Sequence, residues 1–452
     1  MGQGNILAYG LLTLWPILAI RVYQKKTIQE ATLWVLFGGF MILPVGTLID
    51  FPLIPALGKH SMPVLSVVIG CWLIKKQKIK IFRNKGLVQV FVLLLFTGTF
   101  ITAELNSDSI IFGKIVLHGL TLHDAISAVI GVFIPIIPFF IGKQFFRSYN
   151  DQLLMFRFLV FAGLIYTIPM LYEIRMSPQL HTIFYGYFPH KFNQQVRDGG
   201  FRPVVFMGHG LWVAFFTACV LTAAAALWSI NEKIRKFSPA KVCYYLVIVL
   251  VLCKSMASLI YGAFALIAIK MLSYQMQIRV AVMLVILALL YPVMSITKTF
   301  PHEKVTQLAA IYMGEDRAQS LQFRFDNERI LLNHAKERFF FGWGGWGRNR
   351  VYDEKTGKDL SVTDGRWIIT LGTTGFIGFI SKFGLLAIAV LRAKKAMKFL
   401  TKKNEKILLS AQSLLVAIIM IDQLPNASLA PWLWLLVGGL LGRSESIIVQ
   451  SK

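Results

Sequence analysis

SLQFRFDNERILLNHAKERFFFGWGGWGRNRV, residues Ser320 to Val351, is the stretch on which the fold turns. It belongs to a polar segment that leaves one hydrophobic run at Ile296 and, through Thr363-Asp364-Gly365, feeds a glycine-dotted apolar run reaching Gly378. Almost everything else in the chain is hydrophobic, in lengths suited to a bilayer. A polar insertion of this size between two such runs is where chemistry is expected.

Composition sets the class. Of 452 residues, 56% are hydrophobic and 15% charged, with mean hydropathy +0.62, well beyond an ordinary soluble domain. Each crossing of hydrocarbon needs about 20 mostly apolar residues in a helix that satisfies its own backbone groups. The pattern predicts an all-α polytopic membrane protein with about 12 to 13 transmembrane helices. The runs cover 5–21, 31–49, 62–75, 86–104, 124–142, 152–172, 205–229, 241–253, 256–271, 279–296, 365–391, 407–422 and 430–442. Three regions follow: an N-terminal transmembrane bundle over 1–296 that includes a loop over 173–204, a large loop over 297–364, and C-terminal transmembrane helices over 365–452. In the long run 365–391, Gly372, Gly375, Gly378 and Gly384 are placed to break or bend the helix.

The net charge of +25 sits in short Lys/Arg clusters between the runs and forms no continuous basic face, which argues against nucleic acid. Such clusters stay on the cytoplasmic side. They include Arg21/Lys25/Lys26, the cations from Lys75 through Arg83 to Lys85, Lys143/Arg147, Lys233/Arg235/Lys236/Lys241, Lys270/Arg279 and those from Arg392 to Lys406. The loops 50–61, 105–123, 173–204, 254–255, 297–364 and 423–429 then face outward, with the N-terminus outside and the C-terminus inside. ATP and nucleotide sugars are absent from that compartment, so a donor there has to arrive in the membrane. The first apolar run lacks a small-residue cleavage site and reads as a retained span. Cys71, Cys219, Cys243 and Cys253 lie in or beside apolar runs without metal-ligand spacing, so neither a disulfide nor a metal site is expected.

Within the 173–204 loop, Arg197 and Arg202 flank Gly199-Gly200, just before a helix expected to begin near Val204. Outward cations at a membrane boundary run against the sidedness rule, and the guanidinium fork suits paired phosphate oxygens. Phosphate-linked substrate binding follows; contact with lipid headgroups or Asp198 is the ordinary alternative. His209 fits either a satisfied bundle histidine or a proton shuttle. In the large loop, Ser320 to Phe339 has the periodicity of an amphipathic helix, with Phe323, Ile330, Leu331 and His334 near one face and Arg317, Arg324 and Glu328 along another. Lying over the mouth of a bundle, it would aim Arg324 and Glu328 at a substrate; solvated intrahelical ion pairs give the same spacing. The run Phe341 to Arg350, with Arg348 in it, reads either as a sugar-stacking platform or as an interfacial aromatic belt. Asp364 and Asp422 are carboxylates at the membrane edge, costly and therefore expected to have a role. Asp364 also suits a helix N-cap.

These residues resemble those of the O-antigen ligase and polymerase superfamily of bacterial inner-membrane glycosyltransferases. The likeness lies in the outward Arg197/Arg202 loop, in Ser320-Leu321-Gln322-Phe323-Arg324 leading to Phe341-Gly342-Trp343-Gly344, in the Ser255 to Leu272 span, and in Thr363-Asp364-Gly365 followed by Leu371-Gly372-Thr373-Thr374-Gly375-Phe376-Ile377-Gly378. The resemblance implies a GT-C type fold that moves a glycan, without metal or other cofactor, from an undecaprenyl pyrophosphate-linked oligosaccharide to a glycan or glycolipid acceptor at the periplasmic face of the inner membrane. It also implies that Arg202, Arg324 and Arg197 hold the pyrophosphate, and it leaves room for a chain-length regulator as partner. Ligases of the superfamily carry His and a small polar residue where Asp364-Gly365 stands here. That leans the reading to a repeat-unit polymerase with Asp364 as general base, and Glu328 or His334 as substitutes. The alternatives are a ligase acting on lipid A core, a transporter of a small anion or glycan, and an accessory subunit of an envelope complex.

Overall fold

The computed structural model describes residues 4–51, 54–82, 86–197, 199–234 and 236–451. Arg83, Lys85, Asp198 and Arg235, used above for sidedness or as an arginine partner, lie outside them. The helices are α1 (Ile6–Lys25), α2 (Ile28–Ile42), α3 (Met62–Ile69), α4 (Leu87–Glu104), α5 (Leu122–Phe145), α6 (Tyr149–Met176), α7 (Leu180–Tyr185), α8 (Gly210–Ser229), α9 (Pro239–Leu252), α10 (Met256–Met271), α11 (Tyr274–Ile296), α12 (His302–Met313), α13 (Glu315–Glu337), α14 (Arg366–Ala396), α15 (Lys403–Asp422) and α16 (Pro431–Gln450). Three two-stranded hairpins, β1/β2 (Ile49–Phe51, Ile54–Leu57), β3/β4 (Ile110–Phe112, Ile115–Leu117) and β5/β6 (Val196–Arg197, Gly200–Phe201), decorate the loops.

Among the described residues, α1, α4, α5, α6, α8, α11, α14, α15 and α16 are long and apolar enough to cross a membrane; α2, α9, α10 and Met62–Ile74 are shorter apolar helices. The chain is thus an all-α polytopic membrane protein, and each expected run contains one of these helices. Local chemistry sets the ends. Thr121/Asp124 and Ser148/Asp151 form reciprocal capping boxes at the starts of α5 and α6, each satisfying orphan N–H groups.

Small residues let the helices approach. A Cβ on Gly438 would lie 2.0 Å from the Phe139 carbonyl oxygen, and one on Gly442 would lie 2.4 Å from that of Lys143, so α16 lies backbone-on-backbone against α5. Polar side chains tie the interior: Gln152 Nε2 donates to Gln412 Oε1 at 2.7 Å, and Ser410 Oγ donates to Gln277 Oε1 at 2.8 Å. At one end of the bundle Lys143 pairs with Glu445 at 3.2 Å and Arg443 with Glu405 at 2.5 Å. At the other, Asn5 Nδ2 donates to the Phe184 carbonyl at 2.9 Å, which puts the N-terminus among the long loops, as the cation pattern expects.

The long run does break, at one of the expected glycines. Gly375 has φ +65° and ψ −166° in the middle of α14, a backbone conformation that side-chain-bearing residues avoid. The groups freed by the break are not left open. Trp343 N–H donates to the Gly372 carbonyl (2.8 Å) and Gly344 N–H to that of Thr373 (3.0 Å); Phe376 and Ile377 N–H donate to the carbonyls of Phe339 (2.8 Å) and Phe340 (3.2 Å). The glycine-aromatic run is therefore a backbone splint laid into a broken helix, which satisfies the hydrogen-bonding demand of buried backbone. It is fastened by Thr102 of α4, whose Oγ1 donates to the Phe341 carbonyl (2.5 Å), and by Asn106 just past that helix, whose Nδ2 donates to the Gly342 carbonyl (3.0 Å). Trp343 donates its indole N–H to the His334 carbonyl at 2.8 Å, stacks on the His334 ring at 4.4 Å and lies under the Arg338 guanidinium at 4.3 Å. Trp343 is thus engaged by the protein's own groups, while Trp346 stays exposed.

Gly375→Ala is expected to collapse this junction, because its Cβ would meet the Phe340 carbonyl oxygen at 2.2 Å and the backbone strain alone costs roughly 1–3 kcal/mol. Gly131→Ala, whose Cβ meets nothing within 4 Å, serves as control. Thermal unfolding in detergent should show a clear loss for the first and none for the second; equal midpoints would mean that the splint carries no stability.

Candidate functional site

The arginine loop over 173–204 is built by α6, not by the helix that follows it. The Glu173 carboxylate accepts the N–H groups of Val204 and Val205, both at 2.7 Å, and that of Leu180 at 2.9 Å. This holds Val205 in a left-handed conformation (φ +49°) and delays α8 to Gly210, six residues after the expected start near Val204, with His209 as N-cap. Hairpin β5/β6, which pairs Arg197 with Gly200, then sits over the start of α8, where Gln195 Oε1 accepts the Gly210 N–H at 3.1 Å.

Arg202 is 8% exposed, and its Nε and Nη2 both donate to the Lys254 carbonyl, at 3.1 and 2.9 Å. Lys254, in the tight α9–α10 turn (φ +53°), returns its Nζ to the Arg197 carbonyl at 2.9 Å. Sequence reasoning passed over Lys254. The signal was available, since a lysine in a two-residue outward turn offends the same sidedness rule that drew attention to Arg197 and Arg202.

From the far side comes α13. Arg324 Nη1 donates to the Pro425 carbonyl at 3.1 Å, and its Nε lies 3.8 Å from Asp364 Oδ2. Together these elements enclose a cleft of ≈ 690 Å³ lined by Arg197, Arg202, Arg317 and Arg324 against Asp316 and Asp364, with His209 in its wall. His209 is held near pKa 3 by burial, then by His190, Arg202 and Arg324, so its imidazole is neutral. Burial raises the Asp364 carboxyl, and the Arg324 charge opposes the rise. The four guanidinium groups against two carboxylates leave this cleft with an excess of positive charge that suits an anion. Asp364 does not cap α14: Gly365 is the N-cap residue and no side chain bonds there.

A second cavity of ≈ 160 Å³ opens behind Arg324 and Asp364 and ends on Glu328. That carboxylate accepts from Tyr291 Oη at 2.8 and 3.0 Å and from Ser295 Oγ at 3.2 Å, with His302 Nε2 3.9 Å away. Burial lifts it to about 7 against these hydrogen bonds.

The structure thus gathers Arg197, Arg202, His209, Arg324 and Asp364 on one cleft, with Glu328 one cavity deeper. It sends His334 and Arg348 elsewhere. His334 Nε2 is 3.0 Å from the Arg348 carbonyl oxygen and its ring is covered by Trp343, which leaves it no path to act as a substitute base in this cleft. Arg348, 1% exposed, donates to the Asp108 (2.9 Å) and His118 (3.1 Å) carbonyls and pins the α4–α5 loop. Asp422 is buried; it accepts from Asn426 at 2.8 Å and from Ser428, and so shapes the turn whose Pro425 carbonyl receives Arg324. Among the described residues no cluster of His, Cys, Asp or Glu could hold a metal ion, and all four cysteines are free and buried.

Because its folded pKa is raised from 4.5 to about 7, neutral Glu328 contributes stability that is whole below pH 4.5 and is lost as pH rises through 7, on the order of 3 kcal/mol. The unfolding midpoint of the wild type, measured against Glu328→Gln in detergent, should therefore fall from about pH 5 to pH 8; a gap independent of pH would show that Glu328 does not ionise there.

No protein-family model matches the chain and no curated protein matches it, so the reading of the cleft rests on its own geometry.

Proposed function

We propose that this protein is a membrane glycosyltransferase that moves a glycan from an undecaprenyl pyrophosphate carrier to an acceptor sugar hydroxyl, as a repeat-unit polysaccharide polymerase of GT-C type working at the periplasmic face of a bacterial inner membrane. The observation that carries it is the convergence of Arg202 and Arg324, from loops more than a hundred residues apart, on one arginine-lined cleft at the membrane boundary. A soluble anion would need no such placement. A lipid-borne pyrophosphate reaches the cleft from the bilayer and keeps its head among four guanidinium groups. The cation pattern, with the dense Lys and Arg clusters of the opposite set of loops read as cytoplasmic, and the resemblance stated above support the same assignment.

In this scheme the Asp364 carboxylate, at the seam between cleft and inner cavity, takes the proton of the acceptor hydroxyl. The hydroxyl oxygen bonds to the anomeric carbon as the bond from that carbon to the phosphate oxygen breaks, and the electron pair leaves with the pyrophosphate. Arg202, Arg324 and Arg197 then stabilise the charge that develops. Arginine supplies the cations, so the scheme calls on no metal. Transport would use a discontinuous helix as a binding site; here the broken backbone of α14 is already occupied by the segment 339–344, which favours transfer.

The test is purified protein in detergent with a polyprenyl pyrophosphate-linked oligosaccharide, the wild type beside Arg202→Lys and Arg324→Lys. The lysines keep charge and lose the paired fork; carrier release and the glycan ladder on a gel are each expected to drop roughly 10²- to 10³-fold, with monodisperse elution retained. Wild-type turnover in both variants would remove the clamp. Release of a single product, dependent on an added lipid acceptor, would make the protein a ligase instead.

A further inference from the structure

Behind Glu328 lies a third space. Between the end of α11, α12 and α13 the structure encloses a cavity of ≈ 450 Å³, inside the range of about 300–1,000 Å³ typical of small-molecule sites. One wall is aromatic: Phe300 and Phe325 have ring centroids 6.1 Å apart, and His302 stands edge-on to both at 4.8 and 4.5 Å. Around it stand Gln322, Asn333, Ser295 and the Glu328 carboxylate. Two of the cations at its rim are turned to the protein, Arg329 to Asp326 at 3.0 Å and Lys336 Nζ to the Ile296 carbonyl at 3.2 Å. An aromatic face beside amides, a hydroxyl and charged groups of both signs, with Lys298, Lys304, Glu303 and Asp326 completing the lining, matches a pyranose, which offers C–H groups on its faces and hydroxyls at its edge. It contrasts with the guanidinium-lined cleft, which matches phosphate.

Each of the three spaces shares wall residues with the next. The 450 Å³ and 160 Å³ cavities share Phe325 and Glu328; the 160 Å³ cavity and the 690 Å³ cleft share Arg324, Val362 and Asp364. We propose that the cavity between α11, α12 and α13 is the acceptor-saccharide subsite, with Glu328 at its threshold holding a sugar hydroxyl and the reacting hydroxyl reaching Asp364 through the narrow middle cavity. This rests on the glycosyl-transfer reading and deepens it: donor and acceptor come to the reaction from opposite ends of one passage. The chemistry of the occupant is a neutral polyhydroxylated ring, the non-reducing end of a growing or single repeat unit.

Asn333 is exposed on α13 and lines this cavity, so Asn333→Trp fills the space without touching the core, and Gln322→Ala thins its polar rim. The probe is the repeat-unit oligosaccharide released by mild acid from the cell's own lipid-linked pool, followed by saturation-transfer NMR on full-length protein in nanodiscs. Undecaprenyl pyrophosphate binding is followed in parallel by native mass spectrometry. The expected result is saccharide binding weakened roughly tenfold or more in both variants, a matching rise in acceptor KM, and carrier binding unchanged. Saccharide binding unaltered in a monodisperse Asn333→Trp protein would overturn the subsite. Failure of undecaprenyl pyrophosphate to bind the wild type would overturn the donor assignment of the arginine cleft, whatever the saccharide does.

Discussion

A helix in hydrocarbon has to satisfy its own peptide groups, and α14 does not. Its break at Gly375 frees carbonyls and N–H groups at membrane depth, and the backbone of residues 339–344 takes them up. Much else depends on this exchange. The splint is the direct continuation of α13, so docking it fixes the helix that carries Arg324 and Glu328. The first half of α14 begins at Arg366, so the same docking fixes Asp364 at its mouth. A polar loop that could have lain loosely over the bundle is instead locked to it through main-chain hydrogen bonds, with Thr102 of α4 and Asn106 just past it as further fastenings. Precision at a reacting centre requires such support, because small misplacements cost catalysis steeply.

The arginine loop is secured by a different device with the same logic. Glu173 gathers the N–H groups of Leu180, Val204 and Val205, and Arg202 closes on the Lys254 carbonyl with its fork. The guanidinium groups are thereby ordered before any ligand arrives. Burial first, and the neighbouring His190, Arg202 and Arg324 after it, keep the His209 imidazole neutral near pKa 3, so it adds no charge of its own to the cleft.

Much of the fold was legible in the sequence because the bilayer imposes a length and a composition on every crossing. The apolar runs correspond to helices, the cation pattern to the shared ends of the bundle, and Gly375 to a break. Arg197, Arg202, Arg324 and Asp364 were legible for a related reason: charge at a membrane boundary is expensive, so its presence is informative. Glu173 was not, because a glutamate near the end of a long helix looks the same whether it faces lipid headgroups or collects three backbone amides. His334 and Arg348 looked reactive for want of their partners, Trp343 in one case and the carbonyls of Asp108 and His118 in the other.

By itself, then, the sequence determined the class of the chain, the places of its apolar helices, and which cations lie beside them. All of these follow from periodicity and transfer free energy, which are local properties. Only the tertiary structure decided that the run Phe339 to Gly344 fills the break in α14, that Asp364 faces Arg324 rather than capping α14, and that neighbouring cavities share Arg324 and Glu328 in their walls. Those outcomes depend on which backbone groups are left unsatisfied after packing and on which distant segment reaches them first, and neither is written in the spacing of residues along the chain.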